Sequence, residues 1–331
     1  MTAATMKAAV VTEQGLAIRE VPQPVPKPNE ILVRVQASSL NRADLAVAAG
    51  HRHGAVGGPG TIVGFECAGE VVAVGAEVPP GTAKPGDRVM CSDTGAYAEY
   101  AVSDWGRLSP IPANTMSYLQ AATLPVALQT MHDAVVTNGR LTAGESILIQ
   151  GASSGVGLMG LQIAKAMGAK LVIGSSTNAA RRARLKEFGA DLAIDTKDPS
   201  WPDQVLEATG GKGVELIVDQ VSASVANQNM KAAAVKGRIV NVGRLGGAKG
   251  EFDFDRHALK RIQYIGVTFR TRSLEEVREI TRRMRADLWS LVETGKLTLP
   301  IDRTFPLEEA AAALAHMRSN AHFGKIVLTV R

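Results

Sequence analysis

The chain has 331 residues, 45% hydrophobic and 21% charged, which is the composition of a globular protein long enough for two domains and excludes a disordered or fibrous one. The formal net charge of +5 would permit a nucleic-acid partner, but only 4% of residues are aromatic and the basic residues are scattered or interleaved with acids, so no base-stacking surface is supplied. No apolar run reaches membrane-spanning length and the opening MTAATMKAAVVTEQG lacks the apolar core of a secretory signal, so the expected location is cytoplasmic with no membrane partner.

In chain order, the first part reads as strands broken by turn residues: KAAVV, LAIREV, a stiff PQPVPKP spacer, ILVRVQASSL, GEVVAVG and DRVMC. β-Branched runs punctuated by Gly and Pro predict a small twisted β-rich domain. The two cysteines, Cys67 and Cys91, are too few for a disulfide framework or a four-thiolate zinc lobe, and are expected to be buried, reduced thiols.

From about Gln120 short apolar strands alternate with helices. The order is ESILIQ, a helix from Val156 to Met167, KLVIGS, a helix from Ala179 to Phe188, DLAID, a helix near Gln204, VELIVDQ, another helix, RIVNVG and IQYIGVTF. Strands that are apolar throughout and separated by helices predict a parallel sheet covered on both faces. Gly168 and Gly189 stand where helices should end. After Thr271 come a long amphipathic helix, the extended LPIDRTFP, a second helix through the alanines at 310 to 313, and a final strand KIVLTV, a tail expected to return and complete the first domain. In the long helix Val277, Ile280, Met284 and Leu288 share one face, and its arginines are expected to form a solvated face paired with Glu275, Glu276 and Glu279.

Gly155, Gly157 and Gly160 form GxGxxG between the strand ESILIQ and a helix. In that setting glycines permit a tight turn and close backbone approach, so a pyrophosphate can rest on unpaired N–H groups at the helix N-terminus, the dinucleotide site of a Rossmann fold. GASSGVG also resembles the TGxxxGxG loop of short-chain dehydrogenases. That family needs a Tyr with a Lys four residues on; the only later tyrosine, Tyr264, is followed at that spacing by Thr268. An NAD enzyme usually offers an acid to the ribose at the end of the next strand, and here no acid lies between Lys170 and Lys186. Ser175, Ser176, Asn178, Arg181 and Arg182 can instead supply hydrogen bonds and positive charge to a 2′-phosphate, so the expected cofactor is NADPH. Asn178 is also a candidate helix N-cap.

The stretches PNEILVRVQASSLNRADL, TIVGFECAGEVVAVG, PGDRV, GAYAEY, AATLPVALQT, GASSGVG and HFGKIVL occur in order over nearly the whole chain. Together they resemble the medium-chain dehydrogenase/reductases and, within them, the zinc-independent NADPH:quinone oxidoreductases. The resemblance implies an α/β fold, a Rossmann doubly wound parallel sheet plus a GroES-like β-rich domain. Residues 1–124, completed by 270–331, would be the GroES-like catalytic domain and 125–269 the Rossmann NADP-binding domain. It also implies a homodimer, for which IQYIGVTF offers a sheet edge.

Zinc-dependent members of that superfamily carry Cys, His and Cys as ligands, and the matching positions here are Asn41, Phe65 and Val126, with Glu66 remaining, so no catalytic metal is expected. A saturated ketone becomes an alkoxide that needs a Lewis acid or strong proton donor. A quinone becomes a phenolate-like anion, whose conjugate acid has a pKa of about 10 by analogy with tyrosine, and an enone becomes a delocalised enolate.

The expected function is therefore hydride transfer from NADPH to a quinone. The alternatives are an enone or enal reductase and a catalytically vestigial NADPH-binding protein, with a zinc alcohol dehydrogenase last. The candidate catalytic residues are Asn41, Arg52 and Thr130. By the resemblance and the loop together, the cofactor-binding candidates are Asn41, Thr130, Ser153, Ser154, Gly155, Val156, Gly157, Ser175, Ser176, Asn178, Arg181, Val242, Gly243, Phe269 and Lys325. Arg52 stands where relatives often have tyrosine, so a more cationic acceptor pocket is expected, and His51 and His53 are weaker acid–base candidates.

Overall fold

The computed structural model describes residues 4–113 and 116–330. The chain forms two compact units, Met1–Val126 with Phe269–Arg331, and Ala127–Thr268.

The second unit is built on a six-stranded sheet whose neighbours run Leu192–Ile194, Leu171–Ser175, Ser146–Gln150, Val214–Asp219, Ala233–Asn241 and Gln263–Gly266, all parallel. Counted in chain order these strands lie 3-2-1-4-5-6, the doubly wound arrangement, and the order reverses between Ser146–Gln150 and Val214–Asp219. Ser146–Gln150 is buried along its whole length, which is why its sequence is apolar rather than alternating. Leu148, Ile173, Ile217 and Ile239 from four of the strands meet Trp201 and Met230 in the core.

The helix Gly155–Ala166 follows the first strand, and Gly168 ends it with φ of 82°. The continuous helix expected from Ala179 to Phe188 is instead an α-helical Ala179–Ala183 followed by a 3₁₀ turn Leu185–Phe188. None of Ala179–Ala183 is buried, so packing fixes the chain only where Leu185 enters the core.

In the first unit a seven-stranded sheet runs Ile301–Pro306, Lys325–Thr329, Glu30–Ser39, Cys67–Val74, Arg88–Cys91 and Leu108–Pro110, with Tyr100–Asp104 also paired to Glu30–Ser39. The C-terminal strand pairs antiparallel through Val327–Ser39 and Leu328–Ser38, so the two ends of the sequence share one sheet. Thr5–Thr12 and Gly15–Pro22 form a separate hairpin. The strands Tyr100–Asp104 and Leu108–Pro110 and the helix Arg42–Ala48 are elements the sequence pattern does not announce.

The helix Leu274–Glu293 buries Val277, Ile280, Met284 and Leu288 as its spacing requires. Its arginine face is not wholly solvated. Arg278 turns inward, donating to both carboxylate oxygens of Asp104 at 2.9 and 2.7 Å and lying over the Trp105 ring, while Arg282 and Arg283 pair with Glu279 as expected.

Candidate active site

The glycine loop sits at the carboxyl end of Ser146–Gln150, beside the point where the strand order reverses. Ser154 caps the following helix, its hydroxyl accepting from Gly157 N at 3.0 Å. The N–H groups of Gly155 and Val156 belong to the first turn and have no intrahelical carbonyl behind them. A Cβ at Gly157 would stand 2.6 Å from Ala152 Cα and 2.7 Å from Gly151 O, so the loop folds onto the helix start as only glycine permits. Free donors on a twelve-residue helix and a backbone with no side chain in the way fit a pyrophosphate.

Ser175 supports this loop from behind. The residue is 1% exposed, and its hydroxyl accepts from Gly151 N at 2.9 Å and donates to Gln150 Oε1 at 2.6 Å, so it braces the backbone rather than facing a phosphate. Ser176 is placed differently, with Oγ 3.0 Å from Ser153 Oγ. Asn178 caps Ala179–Ala183 through its side-chain oxygen, leaving its amide N–H groups toward the surface. Arg181, on the first turn of that helix, is partly buried. Arg182, expected among the available cations, is committed elsewhere, to Ser176 O at 2.9 Å and Asp195 Oδ2 at 2.8 Å. That ion pair also occupies Asp195, which follows the adjacent strand Leu192–Ile194.

Across the reversal point, Val242 and Gly243 donate their N–H groups to Asp219 O at 2.8 and 3.2 Å. A Cβ on Gly243 would lie 2.6 Å from Gln220 O. Gln220 joins the two sides: its Nε2 donates to Gln150 O at 3.1 Å, and Ser154 Oγ lies 3.1 Å from its Oε1. Gln150 Nε2 donates to Asn229 Oδ1, and Asn229 Nδ2 to Asp219 Oδ2. Burial raises the Asp219 carboxyl above its ordinary range against the Ser222, Val221 and Asn229 donors. The sequence does not single out Gln150, Gln220 and Asn229, although the polar residues that close SILIQ and VELIVDQ are a signal for the first two.

In the first unit Asn41, a residue 9% exposed, precedes the helix Arg42–Ala48. Its Oδ1 accepts from Lys325 Nζ at 3.0 Å and its Nδ2 donates to Glu66 Oε1 at 2.9 Å. Lys325 Nζ also donates to Glu66 Oε1 at 2.7 Å and to Leu40 O at 2.9 Å. All three ammonium donors are thus used inside this unit, so Lys325 fastens Asn41 and Glu66 instead of reaching outward to a cofactor. Glu66 Oε2 accepts from Val126 N at 2.9 Å. Asp44 completes the cluster, its Oδ2 accepting from Asn41 N at 2.6 Å and from the Tyr97 hydroxyl at 2.8 Å. Burial pushes the Asp44 carboxyl up to about 7 despite those two donors and the Lys325 charge.

Phe65 presents an aromatic ring, 5.4 Å from His53 in edge contact, and Val126 contributes only its N–H. With Asn41 already bonded to an ammonium, these positions do not fit a zinc ion. Among the described residues no three His, Cys, Asp or Glu side chains gather in a way that could hold a metal. Cys67 and Cys91 face each other across adjacent strands with sulfurs 3.5 Å apart, both buried.

His51 and Arg52 are exposed on the loop after the helix, which doubles back so that a Cβ at Gly57 would meet His51 O and Arg52 Cα. Gly54 lies against the Arg270 backbone, next to Phe269. Burial, then the Arg270 charge, lowers the His53 pKa. Thr130 is partly buried in the helix Pro125–His132. The structure therefore groups Ser153 to Gly157, Ser176, Asn178 and Arg181 on one rim of the second unit, with Val242 and Gly243 at the next strand end. In the first unit it joins Asn41 to Lys325, while Arg52 stands on a separate loop.

Residues 27–113 match the alcohol dehydrogenase GroES-like domain and residues 155–286 the zinc-binding dehydrogenase domain. The rat quinone oxidoreductase is 30% identical over 314 residues, covering 93% of this chain and 92% of that one. One component protein of the Mycobacterium tuberculosis phenolphthiocerol/phthiocerol polyketide synthase is 29% identical over 316 residues, which is 96% of this chain but 14% of that protein. A mycobacterial protein solved in complex with NADPH superposes with a TM-score of 0.85 at 27% identity, covering 98% of this chain and 100% of that one. A doubly wound sheet with its glycine loop, a β-rich partner unit built from both chain ends, and a relative matched over almost all of both lengths lead to one assignment. The chain belongs to the quinone oxidoreductase-like family of the medium-chain dehydrogenase/reductase superfamily, a family of oxidoreductases.

Proposed function

We propose that the protein is an NADPH-dependent, zinc-independent reductase that delivers hydride to a quinone. Residues 125–269 would be the NADP-binding domain and 1–124 with 270–331 the catalytic domain. The observation that carries the reading is a glycine loop with free helix N–H donors in a chain whose Asn41 is held by a lysine and a glutamate in place of metal ligands. When bound, a reduced nicotinamide supplies the hydride. The chain's own part is binding and orientation: Gly155 and Val156 N–H groups take the pyrophosphate, and Ser176, Asn178 and Arg181 the 2′-phosphate. The mycobacterial structure with NADPH supports that cofactor.

At the acceptor end we assign Asn41, Thr130 and Arg52 to hydrogen bonding of the developing anion. Neutral amide and hydroxyl donors suffice for a phenolate-like anion, whereas an alkoxide from a saturated ketone would demand more. The same reasoning admits a second reading, reduction of the C=C bond of an enone or enal. The similarity to a stretch of a polyketide synthase favours including it.

We further propose a cytoplasmic homodimer that binds neither membrane nor nucleic acid. Among the described residues Gln263–Gly266 has one unpaired edge, and Phe254 and Leu259 on the preceding helix are 75% and 72% exposed. No helix among the described residues is long and apolar enough to cross a membrane. Titration with NADPH and NADH followed by turnover with a benzoquinone, an enone and a saturated ketone tests the function. Tight NADPH binding with turnover of the first two is expected. Tight binding with no turnover would replace the proposal with a vestigial nucleotide-binding protein.

A further inference from the structure

The Lys325 and Glu66 side chains are 4% and 0% exposed, so this ion pair is almost fully desolvated. A buried pair of that kind is rarely retained for stability alone, because an apolar pair of the same volume often serves as well or better. Its geometry points to a more specific task. An asparagine carboxamide has an oxygen end and a nitrogen end of nearly equal size, and only its neighbours decide which way it faces. Here an ammonium stands 3.0 Å from one end and a carboxylate 2.9 Å from the other. A flipped Asn41 would set its N–H₂ against the ammonium and its oxygen against the carboxylate, so one orientation is strongly preferred.

The same arrangement acts on the amide's electrons. A cation donating to Oδ1 draws density from the nitrogen and strengthens the remaining Nδ2–H as a donor, the cooperative polarisation expected in a low-dielectric network. Among the described residues that second hydrogen has only Ser39 O at 3.5 Å, the limit of a hydrogen bond.

We infer that Lys325 is a positioning residue for the reaction: paired with Glu66, it locks and polarises the Asn41 carboxamide so that an Nδ2–H is directed at the oxygen of the hydride acceptor. This rests on the reading of the site given under the proposed function. It assigns to Lys325 no contact with the cofactor and no proton transfer.

The test is a double-mutant cycle with NADPH and a benzoquinone. Lys325→Met leaves Glu66 with an uncompensated buried charge, so the cycle is run on the Lys325→Met/Glu66→Gln background, with thermal unfolding confirming a folded protein. Relative to wild type that variant should lose about tenfold in kcat, with NADPH affinity by fluorescence titration unchanged. Adding Asn41→Ala to it should cost about tenfold less than Asn41→Ala costs in the wild-type protein, because the lysine acts through the asparagine. Wild-type kcat in the folded variant, multiplicative losses for the lysine and asparagine changes, or weakened NADPH binding with kcat preserved would each overturn the inference. Should wild-type protein itself turn over neither quinone nor enone, the proposed reaction falls. The Asn41 side-chain amide resonances then decide the inference alone: two sharp, widely separated proton signals that collapse on Lys325→Met/Glu66→Gln uphold it, and no change rejects it.

Discussion

Gln220 holds the glycine loop through Ser154: the serine hydroxyl lies 3.1 Å from Gln220 Oε1, while Gln220 Nε2 donates to Gln150 O at 3.1 Å. One side chain from the end of Val214–Asp219 thereby fixes the residue that caps the helix Gly155–Ala166. Gln220→Ala should weaken NADPH binding about five- to tenfold, the equivalent of about one hydrogen bond. Fluorescence titration measures it, and an unchanged Kd would show that the loop keeps its shape unaided.

Gly157 admits no side chain, because the atoms a methyl group would meet, Ala152 Cα and Gly151 O, are backbone and cannot rotate away. Gly157→Ala should push the loop off the helix N-terminus, abolish measurable NADPH binding and lower stability by about 1–3 kcal/mol. The paired measurement is calorimetric titration with thermal unfolding of the same sample.

We propose that Ser176, Asn178 and Arg181 set a preference for NADPH, whereas Arg182 pairs with Asp195. Arg181→Glu should lower the NADPH-to-NADH affinity ratio by about tenfold or more, by losing one favourable charge contact and adding a repulsive one. Arg182→Glu should lower stability more than it changes that ratio. Equal effects of the two substitutions on the ratio would contradict the assignment.

Asp44 makes stability depend on pH. Burial raises its carboxyl from an ordinary value of 3.8 to about 7, so between those values the folded protein holds a proton that the unfolded chain has released. This contribution is present at acid pH, diminishes as pH rises through that window, and levels off above it, by up to about 4 kcal/mol. Asp44→Asn keeps an oxygen for Asn41 N and the Tyr97 hydroxyl and should flatten the dependence, leaving the variant more stable than wild type above neutrality. Urea midpoints across the pH range check it.

Much of the second unit was legible because its signals are local: SILIQ, the glycine loop and the strand runs each carry a period or a turn that needs no distant partner. The break after Ala183 was not, since helix continuity there depends on burial that no one-dimensional pattern reports. In the first unit the helical stripe of Val277 to Leu288 could be read, but not the inward turn of Arg278, whose partner Asp104 lies far away in sequence. The same limit hid the site cluster. Asn41 and Asp44 share one helix start, but Glu66, Tyr97 and Lys325 come from distant parts of the chain, and Lys325 arrives only through the sheet pairing of both chain ends. Lys325 was identified as a site residue by resemblance, but its role as an internal clamp follows only from its three partners.

The most direct test of the account measures metal content and turnover on one preparation. Elemental analysis of chelator-treated protein should show no stoichiometric zinc while benzoquinone or an enone is still reduced by NADPH at the untreated rate, with saturated ketones poor. Activity that disappears with the metal and returns with added zinc, or a saturated ketone as the best acceptor, would contradict it.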